Sequence, residues 1–222
     1  MNEVVYYIIL ILVLVSIGLH EYAHAVVSHK LGDPTPKYQR LTPNPLRHID
    51  PIGFLMIFLV HFGRKPVQVN PSYYKKPLQG ELLVALAPAT NIILAVIGIV
   101  VMMLYSRIIG ISGTDLQEIV QLLFQGYVVG DVMLLFWRLF AMINTALAVF
   151  NMLPIPPLDG FRLVKVAAPK FAMMVEKYSM YVTIVFLLLV VGPRAIVGPF
   201  ISNTAEAIFN IIFGVIGVIV FY

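Results

Sequence analysis

Long apolar runs limit this chain of 222 residues more than any other feature. Several are 17 or more mostly apolar residues long, and at about 1.5 Å per residue they approach the roughly 30 Å of bilayer hydrocarbon. Backbone N–H and C=O groups find no water there, so each must be bonded within the segment, which continuous runs of this length achieve as helices. Charged residues make up only 12% of the chain, against about a quarter in a soluble domain. The expected fold class is therefore an all-α polytopic membrane protein, with residues 1–222 forming one transmembrane domain. No cysteine is present, which excludes disulfides and thiolate metal sites. The net charge of +4 lies mainly in loops flanking the apolar runs. It reads as topology information and not as a nucleic-acid surface.

Taken in order, the first span covers about Val4 to Leu31 and stops at Gly32-Asp33-Pro34, a helix-breaking turn. Its start, Met1-Asn2-Glu3, lacks the basic head of a signal peptide, so it is expected to be retained. A re-entrant or loop region follows over about 32–80. Within it Ile52 to Phe62 is apolar but only about eleven residues long, too short to span, and Lys65 to Asn70 alternates as an extended segment. Further spans are expected from about Glu81 to Tyr105, Val132 to Met152, Val175 to Val191 and Thr204 to Val220. Ser106 to Gly130 carries a polar link and an apolar face expected to lie along the interface. The count is about five to six transmembrane helices, with a re-entrant or short-strand segment between the first two long ones.

Basic residues orient the bundle. If Ile52 to Phe62 returns to the side it came from, Lys30, Lys37, Arg40, Arg47, Arg64, Lys65, Lys75, Lys76, Arg162, Lys165, Lys170 and Lys177 share one side, and Arg107 and Arg194 the other. A single crossing by that segment would erase the bias. The positive-inside rule thus favours re-entry, with the N-terminus outside and the C-terminus in the cytoplasm. The plasma membrane is the expected location.

Ionisable groups inside such spans cost about 2.5–3.5 kcal/mol each on insertion scales and by default face the protein interior and serve function. Away from its end, the first span holds three, in His20-Glu21-Tyr22-Ala23-His24. Residues i and i+4 stack on one helical face, so His20 and His24 can direct ring nitrogens at one point about 2.0–2.1 Å from each, which suits a single Zn²⁺ ion. Glu21, about 100° around the helix, is placed to hold a water beside that point. At about 1.5 Å per residue His20 lies roughly 24 Å along its span, near the exit end.

A hydrolytic zinc site needs a third protein ligand. Asn151 to Gly160 reaches the same end of the membrane, and its prolines present Asp159 from irregular backbone, which is tolerated at this depth where it is buried or lines a cavity. A helix-capping role for Asp159 is the alternative. The pair His20-Glu21-Tyr22-Ala23-His24 and Asn151-x-x-Pro154-x-x-x-Leu158-Asp159-Gly160 resembles the site-2 protease family of intramembrane zinc metalloproteases. Gly32-Asp33-Pro34, His48 to Gly53, Lys65 to Asn70 and Ala87 to Asn91 resemble its compact branch without a PDZ insertion. Ala87 stands where the family usually has Gly.

That resemblance implies His20, His24 and Asp159 as zinc ligands and Glu21 as the base that activates water. It makes Asn91 and Asn151 candidates for holding substrate backbone or the developing oxyanion, with interhelical hydrogen bonding as the plain alternative. It also implies that Thr35 to Asn70 forms membrane-associated strands whose edge an extended substrate could join. The expected partners are the lipid bilayer and the transmembrane segment of a protein substrate, which must unwind before cleavage. The rival functions are a metal-cation transporter using the same His/Asp site and an inactive binder of membrane proteins. Arg138, inside the third long span, is expected to snorkel outward or pair with Asp131.

Overall fold

A computed structural model describes residues 3–36, 41–44, 69–86, 89–110, 129–191 and 197–221. Its helices are α1 (Glu3–Lys30), α2 (Pro77–Ala85), α3 (Ala89–Ile109), α4 (Val129–Asn151), α5 (Gly160–Ala167), α6 (Pro169–Lys177), α7 (Ser179–Val191) and α8 (Val197–Phe221), with a 3₁₀ turn at Pro71–Tyr73. Among the described residues there is no strand. Ile52 to Phe62, Lys65 to Gln68 and most of Ser106 to Gly130 lie outside them. Among the described residues, four helical stretches are long and apolar enough to cross a bilayer: Val5–Lys30, Pro77–Ile109, Val132–Asn151 and Val197–Val218. The described residues hold a fifth only if α6 and α7 count as one span.

Helix α1 ends as its sequence dictates. Gly32 takes φ +105°, a region that excludes most side chains. The Asp33 N–H then bonds the Ser28 carbonyl at 3.2 Å and the Gly32 N–H bonds that of His29 at 3.0 Å, closing the helix with a Schellman motif. Asp33 is fully buried. Its carboxylate accepts from Thr35 N–H at 2.9 Å, from Ser28 Oγ at 2.9 Å and from Asn70 N–H at 2.6 Å. Tyr74 joins through a 2.8 Å bond between its hydroxyl and Ser28 Oγ. A carboxylate at the foot of α1 therefore holds both the departure of the chain at Thr35 and its return at Asn70.

The span expected from about Glu81 to Tyr105 falls within the stretch Pro77–Ile109, of which α2 and α3 are the described parts. Residues 87 and 88, between them, lie outside the described residues. Tyr74 packs on Gly80 of α2, where a Cβ would come within 2.2 Å of its ring. Gly98 lets α3 approach α4 closely: a Cβ there would stand 3.1 Å from Phe140 and 3.2 Å from Ala141. Ile99, Met102 and Met103 of α3, Leu134, Leu135 and Ala141 of α4, and Phe209 of α8 form the buried core, and Val5 of α1 packs against it. The Arg138 guanidinium lies 5.2 Å from the centre of the Phe209 ring, between helices, where the sequence suggested outward snorkelling. The Asp131 side chain lies outside the description.

Two expectations about the last third change. The apolar run from Val175 to Val191 bends by 80° between α6 and α7, leaving α7 with 13 residues, about 20 Å at 1.5 Å each. Hydropathy sees one run here because Met173, Met174 and Val175 are apolar. Yet α6 is amphipathic, with Lys170, Glu176 and Lys177 alternating with exposed Phe171, Met173 and Met174, and such a helix lies along an interface. The second change concerns α8. It begins beside Met152 and Leu153 at the C-terminal end of α4, passes Arg138 with Phe209, and brings Gly217 against Met103. Its C-terminal end therefore lies with the start of α1, opposite the His20 to His24 end, where the charge count had placed it beside them. The count had treated Val175 to Val191 as a full crossing.

Candidate metal centre

Three elements converge where α1 and α4 end and α3 begins. Helix α1 contributes His20, Glu21 and His24, all buried, with 1%, 1% and 4% exposure. After α4 the chain turns through Leu153 to Leu158, including a cis Pro156–Pro157 peptide, and delivers Asp159 at the start of α5. Gly160 allows that turn to close: a Cβ there would sit 2.2 Å from the Met152 carbonyl oxygen. Asp159 precedes α5 at φ −68°, and its side chain makes no capping bond. The carboxylate goes to the histidines.

Asp159 Oδ2 stands 3.0 Å from His20 Nε2 and 3.0 Å from His24 Nε2, and the two Nε2 atoms are 3.1 Å apart. These three ligand atoms form a nearly equilateral triangle, the only group of its kind among the described residues. A tetrahedral zinc with bonds of about 2.0–2.1 Å separates its ligands by about 3.3 Å, so the triangle needs to open by only a few tenths of an ångström. Two imidazoles and one carboxylate, without thiolate, form a donor set that suits zinc and leaves a fourth position free. The chemistry and geometry fit the ion.

The surroundings fix the ligands. Arg162 Nη1 donates to Glu81 Oε2 at 2.9 Å, and its Nε lies 3.7 Å from Asp159 Oδ1, so the guanidinium faces one carboxylate oxygen and leaves Oδ2 to the triangle. Asn91 is fully buried, and its Oδ1 accepts from His20 Nδ1 at 2.7 Å, so it meets the site from behind a ligand. Asn144 and Ser16 extend this contact: Asn91 Nδ2 donates to Asn144 Oδ1, and Asn144 Nδ2 to Ser16 Oγ, each at 2.9 Å. Asn151, 3% exposed, donates Nδ2 to the Leu147 carbonyl at 2.9 Å. Its Oδ1 is buried without a hydrogen-bond partner among the described residues. Asn144, Ser16, Arg162 and Glu81 escaped the sequence reading. An amide in the middle of the third long span was the available signal.

Comparison with known proteins agrees with this geometry. The model of peptidase family M50 matches residues 7–190. A protein of Bacillus subtilis (strain 168) carrying the name "Putative zinc metalloprotease YwhC" is 36% identical over 193 residues, 83% of this chain and 80% of the relative. No solved structure matches.

Proposed function

This chain belongs to peptidase family M50 and is a zinc metalloprotease of the membrane, and we propose that it cuts peptide bonds in or beside transmembrane segments of other membrane proteins. The observation that carries this reading is the buried triangle of His20, His24 and Asp159 at one end of a bundle of apolar helices. When bound, zinc supplies Lewis acidity toward the scissile carbonyl and the attacking water.

The chain's own groups do the rest. His20 Nε2, His24 Nε2 and Asp159 Oδ2 would hold the ion. Glu21, one residue along from His20, takes the proton of the attacking water on its carboxylate and passes it to the leaving amine. The Asn151 Oδ1 acceptor receives a backbone N–H of unwound substrate and so aligns it. An apolar groove of about 460 Å³, lined among others by Ile92, Val149, Met152, Leu153, Phe200 and Ile208, includes the residue that follows Asn151 in the chain and accepts apolar side chains of a membrane segment. The basic residues near this end, Lys30, Lys75, Lys76, Arg162, Lys165 and Lys170, support its facing the cytoplasm, with the plasma membrane as the site of action.

Purified protein with a model transmembrane substrate in detergent tests the reading. Glu21→Gln is expected to keep zinc and to lose cleavage by about 10²–10⁴-fold, whereas His24→Ala loses both. Wild-type rates from Glu21→Gln would overturn the assignment.

A further inference from the structure

The amides behind His20 form a chain of hydrogen bonds whose direction is set by one atom with no choice of role. The Phe140 carbonyl oxygen only accepts. It lies 2.8 Å from the Asn144 side chain, so the atom facing it is the donor Nδ2, which also serves Ser16 Oγ at 2.9 Å. The Asn144 Oδ1 is thereby turned to Asn91, 2.9 Å away. An amide oxygen accepts only, so Asn91 must present Nδ2 to it and Oδ1 to His20. That oxygen, 2.7 Å from His20 Nδ1, requires a proton on Nδ1. A neutral His20 then keeps its lone pair on Nε2, the atom facing His24 and Asp159.

We propose that Asn144 is a positioning residue of the metal centre: anchored by the Phe140 carbonyl, it orients Asn91 and so holds His20 in the tautomer whose Nε2 lone pair faces the ion. The relevance to zinc rests on the function proposed above, while the relay itself does not. Ser16, Asn91 and Asn144 are fully buried, so water does not compete for these bonds. An imidazole without such a partner exchanges its proton between both nitrogens, and the Nε2–H form points a proton at the metal position. Groups that orient metal-ligating histidines typically contribute about 10–100-fold in metal affinity. Asn144 acts through Asn91 and touches neither ligand nor ion.

The test reads the tautomer directly. Zinc-free protein labelled with ¹⁵N-histidine, its His20 signals identified by loss in His20→Gln, is expected to show Nδ1 protonated. An Nδ1 without its proton in the wild type overturns the proposal with no variant needed. Asn144→Leu keeps the approximate volume but ends the relay. It is expected to give mixed His20 tautomers and a zinc affinity about 10–100-fold weaker by chelator competition. Ser16→Ala, which leaves the Phe140 carbonyl in place, should hold the wild-type tautomer. A folded Asn144→Leu protein with the wild-type signature and affinity overturns the proposal, as does a Ser16→Ala protein as scrambled as Asn144→Leu. The expected tautomer in a wild type that binds no zinc counts against the metal centre and leaves the relay standing.

Discussion

Gly160 shows how one missing methyl group determines the reach of a ligand. A Cβ at this position would lie 2.2 Å from the Met152 oxygen and 2.5 Å from that of Leu153, and backbone oxygens at the end of a packed helix have no rotamer by which to withdraw. Gly160→Ala is expected to push Asp159 away from the two histidines. The predicted outcome is a stability loss of about 1–3 kcal/mol together with zinc binding weakened by at least about tenfold, measured by thermal unfolding and metal content. At this scale the sequence was informative where chemistry is local. His20, Glu21 and His24 announce themselves by helical spacing, and Asp159 by the prolines and glycine around it. Asn144 was not legible: its meaning lies in Ser16, Asn91 and the Phe140 carbonyl, and the first of these is 128 residues away. The two asparagines that the sequence did single out also acquire distinct surroundings. Asn91 backs a ligand, whereas Asn151 retains a buried acceptor oxygen.

Among the elements, the foot of α1 is most sensitive to solution conditions. Burial alone would raise the Asp33 carboxyl, but hydrogen bonds from Thr35, Asn70 and Ser28 outweigh it and hold the group below the usual carboxylate range. A depressed folded value stabilises the protein above the unfolded pKa of about 3.9 and loses that contribution as pH falls through the lower folded value. Thermal unfolding in detergent should therefore show Asp33→Asn less stable than wild type at pH 7, by about 1–3 kcal/mol. The gap should narrow as the pH drops from about 5 toward 3. A constant difference across that range would show that the charge of Asp33 does not stabilise the fold. Gly32-Asp33-Pro34 was readable as a helix stop from three letters. Its role in gripping Asn70 was not, because that bond spans 37 residues.

Across the whole molecule, hydropathy recovers apolar helices well and their connectivity less well. Val132 to Met152 corresponds closely to the span Val132–Asn151, whereas Val175 to Val191 lost its first turn to the bend at Tyr178. That single bend reverses the direction assigned to α8, since a sum of crossings changes sign with every helix miscounted. The grip of Asp33 on Thr35 and Asn70 has a related consequence. A chain that leaves and rejoins the bundle at one face crosses the bilayer an even number of times in between, whatever path it takes. The same parity holds between the end of α4 and the start of α8. The start of α1 and the end of α8 must then share a compartment, and Lys75 and Lys170 must share the other. Because the protein has no cysteine, the parity can be checked by labelling Glu3→Cys, Phe221→Cys, Lys75→Cys and Lys170→Cys singly in sealed vesicles. The first two should react from one side with a membrane-impermeant maleimide and the last two from the other. Reporters fused beyond either helix would then report one compartment, the one that the metal centre does not face.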